Sequence, residues 1–152
     1  MVSAATALIV MLVAITLVIW GLVRLVVKPP KQYGFTSITN KGEKVRSYGE
    51  KQISDFFAQN NIQYQYEPKI KNVFALPDFY LPEYNVYVEY WGLVNADDPK
   101  VKNNYVRHMK KKMARYHSNK IKFISIYPDN LKNLDWIFRK KFEDATGNKL
   151  PN

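Results

Sequence analysis

Ile53, Phe56 and Phe57 recur at helical spacing within "SYGEKQISDFFAQNN", and the polar "QNN" that follows predicts the end of a helix there. In "IQYQYEP" the alternation of Ile62, Tyr64 and Tyr66 predicts a strand. A short strand around Asn72 to Leu76 is expected to pair with the "DFYLP" run, and "NVYVEYW" reads as the next strand after a "PEYN" turn. Asp98 or Pro99 then starts a helix that carries Tyr105, Met109, Met113 and Tyr116 on one face. "KIKFISIYP" is a further strand, and Leu131, Leu134, Ile137, Phe138 and Phe142 mark a last amphipathic helix ending near Gly147. The order α-β-β-β-α-β-α predicts an α/β core with a mixed sheet and helices on its faces.

Ahead of this core the pattern changes. From Val2 to Val23 no residue is charged, and the aliphatic run is long enough to cross a bilayer as one helix. A cleaved signal peptide is the competing reading, but the start lacks basic side chains, the run is too long and no A-x-A-like site follows. Trp20 fits an interfacial aromatic. Residues 1–27 are therefore expected to be a transmembrane anchor, 28–45 a linker rich in proline, glycine and small polar residues, and 46–152 the folded domain. Arg24, Lys28, Lys31, Lys41, Lys44 and Arg46 all follow the apolar run, which by the positive-inside rule puts the domain on the cytoplasmic side of a cell membrane. The chain has no cysteine, in keeping with a reducing compartment.

The net charge of +10 changes the picture of partners. Setting aside Arg24, Lys28 and Lys31 still leaves a strongly basic domain, which points to a polyanion, either nucleic acid or anionic lipid headgroups.

Candidate chemistry rests on three acids: Glu50 on the first helix, Asp78 at a strand start and Glu89 within the following strand. A hairpin joining those strands brings Asp78 and Glu89 together, and two converging carboxylates repel unless a cation or a shared proton neutralises them. Mg²⁺ takes one or two carboxylates plus phosphate and water, a set suited to phosphodiester hydrolysis.

The stretch "GE…PDFYLP…VEYWG" resembles the PD-(D/E)XK nucleases of the restriction-endonuclease-like superfamily, over about residues 46 to 127. The resemblance implies that superfamily's αβββαβ core and a metal-dependent nuclease, with DNA as substrate and a homodimer as one arrangement. By the same resemblance, Asp78, Glu89 and the backbone carbonyl of Tyr90 would hold Mg²⁺ or Mn²⁺, and Glu50 would complete the site. Trp91 stands where the motif expects its lysine, which some members supply from the following helix. At 100° per residue from Tyr105, Lys112 falls at about −20°, on the inward face, whereas Lys110 and Lys111 fall near 140° and 240°. Lys112 is therefore the candidate for orienting the attacking water, with Lys110, Lys111 and Arg115 as outward phosphate contacts.

Simpler readings stand beside these. "SYGE" is a capping box in which Ser47 and Glu50 serve the helix start. Lys112 could extend its ammonium to solvent along an apolar stem. His108 and His117 have no metal-ligand spacing. Two other functions remain: a catalytically inactive, membrane-tethered module of the same fold that binds nucleic acid or a partner, and a basic domain facing lipid.

Overall fold

The computed structural model describes residues 11–17, 20, 36–70 and 75–150. The chain separates into two units, residues 1–32 and 33–152. In the first, residues 11–17 and 20 are helical. No helix among the described residues is long and apolar enough to cross a membrane, and most of the expected anchor lies outside the described residues.

The second unit begins within the segment that reads as a linker. Strands β1 (Ser37–Ile38) and β2 (Lys44–Val45) pair antiparallel. Between them, Thr39 and Glu43 bond through the backbone at 2.9 Å, and Gly42 takes φ +81°. Thr39 and Val45 are buried, and Asn40 N–H donates to Asp55 Oδ1 at 2.7 Å. Part of the segment that reads as a linker thus forms a paired hairpin. Strands of two residues are too short to leave an alternation pattern, and Gly42 and Asn40 are turn residues that also suit linkers.

Helix α1 (Tyr48–Gln59) starts on Ser47, whose hydroxyl accepts from Glu50 N–H. Strands β3 (Gln65–Tyr66), β4 (Phe79–Leu81), β5 (Val86–Tyr90) and β6 (Phe123–Ile126) form one sheet in that spatial order. The first three run antiparallel and β6 joins β5 in parallel, so the sheet is mixed as expected. Helix α2 (Pro99–Ser118) supplies the crossover between β5 and β6. Asp98 caps it, accepting from Lys100 N–H at 2.8 Å. Helix α3 (Leu134–Thr146) follows a 3₁₀ turn at Pro128–Asn133 and ends on Gly147 at φ +75°.

Two strands differ from the sequence reading. The run from Ile62 to Tyr66 pairs only at Gln65 and Tyr66, bounded by the positive φ of Asn61 (54°) and Glu67 (46°). Ala75 and Leu76 form no strand, residues 71–74 lie outside the described residues, and β3 is the partner that β4 takes.

Side chains alternate across each strand. Phe79, Leu81, Val86, Val88, Ile124 and Ile126 are buried in a cluster with Ile53 and Phe57 of α1 and Phe138 and Phe142 of α3. Phe57 is its centre, with ring contacts to Phe79 at 5.4 Å and Phe138 at 5.2 Å. Removing a ring from such a position costs roughly 3–5 kcal/mol. The opposite face of the sheet carries Tyr80 stacked on Tyr87 at 4.6 Å, together with Glu89, and receives Tyr116 of α2.

Candidate active site

Three successive residues around the end of β5 diverge. Glu89 faces α2, Tyr90 faces the start of α1, and Trp91 returns to the α2 side, where its indole N–H donates to Ser125 Oγ at 2.9 Å. Asp78 lies one step before β4. The register that pairs Phe79 with Val88 continues to put Asp78 opposite Glu89. Its Oδ2 accepts the Tyr90 N–H at 2.6 Å, and no other hydrogen bond to this carboxylate is made among the described residues.

Both carboxylates sit where charge is costly. Burial, reinforced by the neighbouring Glu89 charge, pushes the Asp78 acid up to about 8, against the opposing Tyr90 N–H and Lys112. Glu89 is almost fully buried, and burial raises its pKa as well, although Lys112 and Tyr116 counter it. The Tyr116 hydroxyl donates to Glu89 Oε1, and the Lys112 ammonium donates to Oε2 at 2.7 Å.

Lys112 is the geometric link. Besides Glu89 its Nζ donates to the Leu76 carbonyl at 2.6 Å, and it lies 5.6 Å from the centre of the Trp91 ring. The ammonium therefore sits over the Trp91 side chain. Asp78, Glu89, Tyr90, Trp91, His108 and Lys112 line a cleft of about 300 Å³.

The remaining candidates are distributed differently. Glu50 belongs to the α1 cap: Oε1 accepts from Ser47 Oγ at 2.8 Å, while Oε2 accepts from Arg46 N–H at 3.0 Å and from Tyr66 OH at 2.6 Å. Its charge still reaches Asp78, but its carboxylate is bonded into the helix start and is not among the residues lining the cleft. The Tyr90 carbonyl accepts a long 3.4 Å bond from Tyr105 OH. Lys110, Lys111 and Arg115 are exposed on α2, away from the cleft walls. That helix carries seven Lys and Arg and no acid.

The sequence places Tyr105 and Tyr116 together on the inner face of α2 and Arg46 among the flanking cations, with no part in the site for any of the three. Tyr116 does double duty, fully buried yet bonded to Glu89. Its signal was present in the helical spacing, one turn beyond Lys112 on the same face. Arg46 and Tyr105 become visible only once α1 and α2 flank β5.

Gly49 and Gly92 both stand against the Tyr90 ring. A β-carbon on Gly49 would lie 2.2 Å from Cζ of Tyr90, and one on Gly92 would lie 2.7 Å from its Cε1. Two glycines thus let the Tyr90 ring approach both the start of α1 and the backbone just after β5.

Among the described residues no group of three or more His, Cys, Asp or Glu is placed to hold a metal ion. The donors at the cleft are two carboxylates and a peptide carbonyl, all hard oxygen ligands. That set fits Mg²⁺ or Mn²⁺, which complete their shells with water and phosphate oxygens. Comparison with protein-family models, with curated proteins and with solved structures returns no match.

Proposed function

We propose that this chain is a metal-dependent nuclease of the PD-(D/E)XK type, with a restriction-endonuclease-like core, that hydrolyses phosphodiester bonds of DNA. The observation that carries the reading is the Lys112 ammonium held between Glu89 and the Trp91 ring beside Asp78. An acid pair and a lysine from three separate elements meet at one cleft, and the lysine reaches it from the helix after the motif.

In this reading Asp78 and Glu89 would hold Mg²⁺ or Mn²⁺, with the Tyr90 carbonyl as a further ligand. Such a cation would supply Lewis acidity toward water and phosphate. Lys112 orients the attacking water by hydrogen bonding and offsets negative charge growing on the phosphate. Tyr116 and Lys112 fix the Glu89 carboxylate from both oxygens, so that it is aimed before substrate arrives. Trp91, anchored on Ser125, limits where the ammonium can swing. The exposed cations Lys110, Lys111 and Arg115 supply outward phosphate contacts. Glu50 supports the site by holding the start of α1 in place. Membrane tethering through residues 1–27, with the domain on the cytoplasmic side, rests on the sequence pattern alone.

The test is cleavage of supercoiled, linear and single-stranded DNA with Mg²⁺ or Mn²⁺ by the full chain, beside Asp78→Asn, Glu89→Gln and Lys112→Met. Activity in the parent that falls at least a hundredfold in all three supports the reading. Binding without cleavage by the parent would transfer the assignment to a tethered binding module.

A further inference from the structure

A second cavity, of about 600 Å³, opens beside the cleft. Arg46, Asp78, Tyr90 and Tyr105 line both, so the two are adjacent spaces sharing walls. The mechanism above uses only the smaller one. The larger is walled mainly by rings and aliphatic groups: Tyr48, Tyr90 and Tyr105 with Leu93 and Leu131. Its size lies in the range of small-molecule sites. Tyr48, the first residue of α1, is 65 % exposed at its edge, an unusual place for a large ring with no part in the core.

We infer that this cavity receives one unpaired nucleobase next to the phosphate under attack, so that the substrate is single-stranded or frayed DNA rather than intact duplex. The inference rests on the nuclease reading and names its substrate class. A base inside a duplex has both faces stacked, and only one that has left the stack offers a face to the tyrosines. Arg46 stands where the phosphate linking base and cleft would pass. Its guanidinium is held by Glu67 at 2.7 Å yet remains largely exposed. Ser47 and Glu50, which also line the cavity, are already bonded to each other. With Asp78 given to the cation and Arg46 to the phosphate in this reading, the base is held by stacking and its identity matters little.

The experiment measures binding of the full chain to a fluorescein-labelled single strand and to a blunt duplex of the same sequence. Ca²⁺ replaces Mg²⁺ so that binding is read without cleavage. The single strand is expected to bind more tightly. Tyr48→Ala should weaken it about five- to tenfold and shift the duplex less than twofold, while Tyr48→Phe, which keeps the stacking face, should match the parent. Equal weakening of both forms, or no effect of Tyr48→Ala, would overturn the base pocket. Parallel incubation of the parent in Mg²⁺ separates the two claims. Cleavage of duplex and single strand alike, insensitive to Tyr48, sinks the pocket and keeps the nuclease. A Tyr48-dependent single-strand preference without cleavage keeps the pocket and sinks the nuclease.

Discussion

The Lys112 ammonium and Glu89 Oε2 lie 2.7 Å apart across 23 residues of chain, and this ion pair ties α2 to the centre of the sheet. Glu89 is the inner partner at 1 % side-chain exposure, while Lys112 retains 23 %. Removing the lysine alone strands a buried carboxylate. Lys112→Met should cost about 3 kcal/mol of stability at neutral pH. Adding Glu89→Gln should return most of that loss, because the stranded charge is then gone. Urea unfolding of the two single variants and the double variant checks the cycle.

Asp78 sets the expected pH response. Its folded-state value is pushed up to about 8, above the ordinary range of an aspartic acid, so the folded chain holds this proton more tightly than the unfolded chain. Its contribution to stability is then greatest at low pH and is lost as pH rises toward about 8. Glu89, also raised, acts with the same sign. In metal-free buffer the melting temperature should fall between pH 5 and pH 8.5, and Asp78→Asn should flatten the decline. Adding Mg²⁺ at pH 8.5 should recover stability in the parent and not in Asp78→Asn.

Gly49→Ala offers a test of sign. At an ordinary helical position the exchange gains up to about 1 kcal/mol through helix propensity. Here the new methyl would meet the Tyr90 ring at 2.2 Å, so a net loss of about 1–3 kcal/mol is expected. Tyr90→Val in the same chain should restore the gain. Thermal unfolding of the three variants reads the outcome.

The helices, their order and the inward direction of Lys112 were legible because they follow from local spacing. Asp98, Pro99 and Gly147 mark helix ends by chemistry that acts within one turn. The β1–β2 hairpin was not legible, since its stability comes from burying Thr39 and Val45 and from the bond of Asn40 to Asp55, all long-range. Glu50 shows the same limit within the site. Its capping role is written in "SYGE", but the Tyr66 hydroxyl that takes up Oε2 arrives from a strand that no local pattern connects to it.

Lys110 and Lys111 should contribute through charge alone. Each alanine variant should weaken DNA binding evenly across sequences and lower the slope of log affinity against log salt by about 1. Both should melt like the parent, because neither side chain is buried. Titrations from 50 to 200 mM salt measure the slope.

β5 lies between an antiparallel and a parallel neighbour and sends Glu89 and Tyr90 to opposite faces. Adding or deleting a single residue between Asn85 and Glu89 would exchange those faces, burying the carboxylate against the Phe57 cluster and turning the tyrosine toward Lys112. The same change in the turns from Leu93 to Asp97 shifts no ladder partner. Length variation in this chain is thus confined by strand parity: chemistry forbids it before Tyr90 and permits it just after.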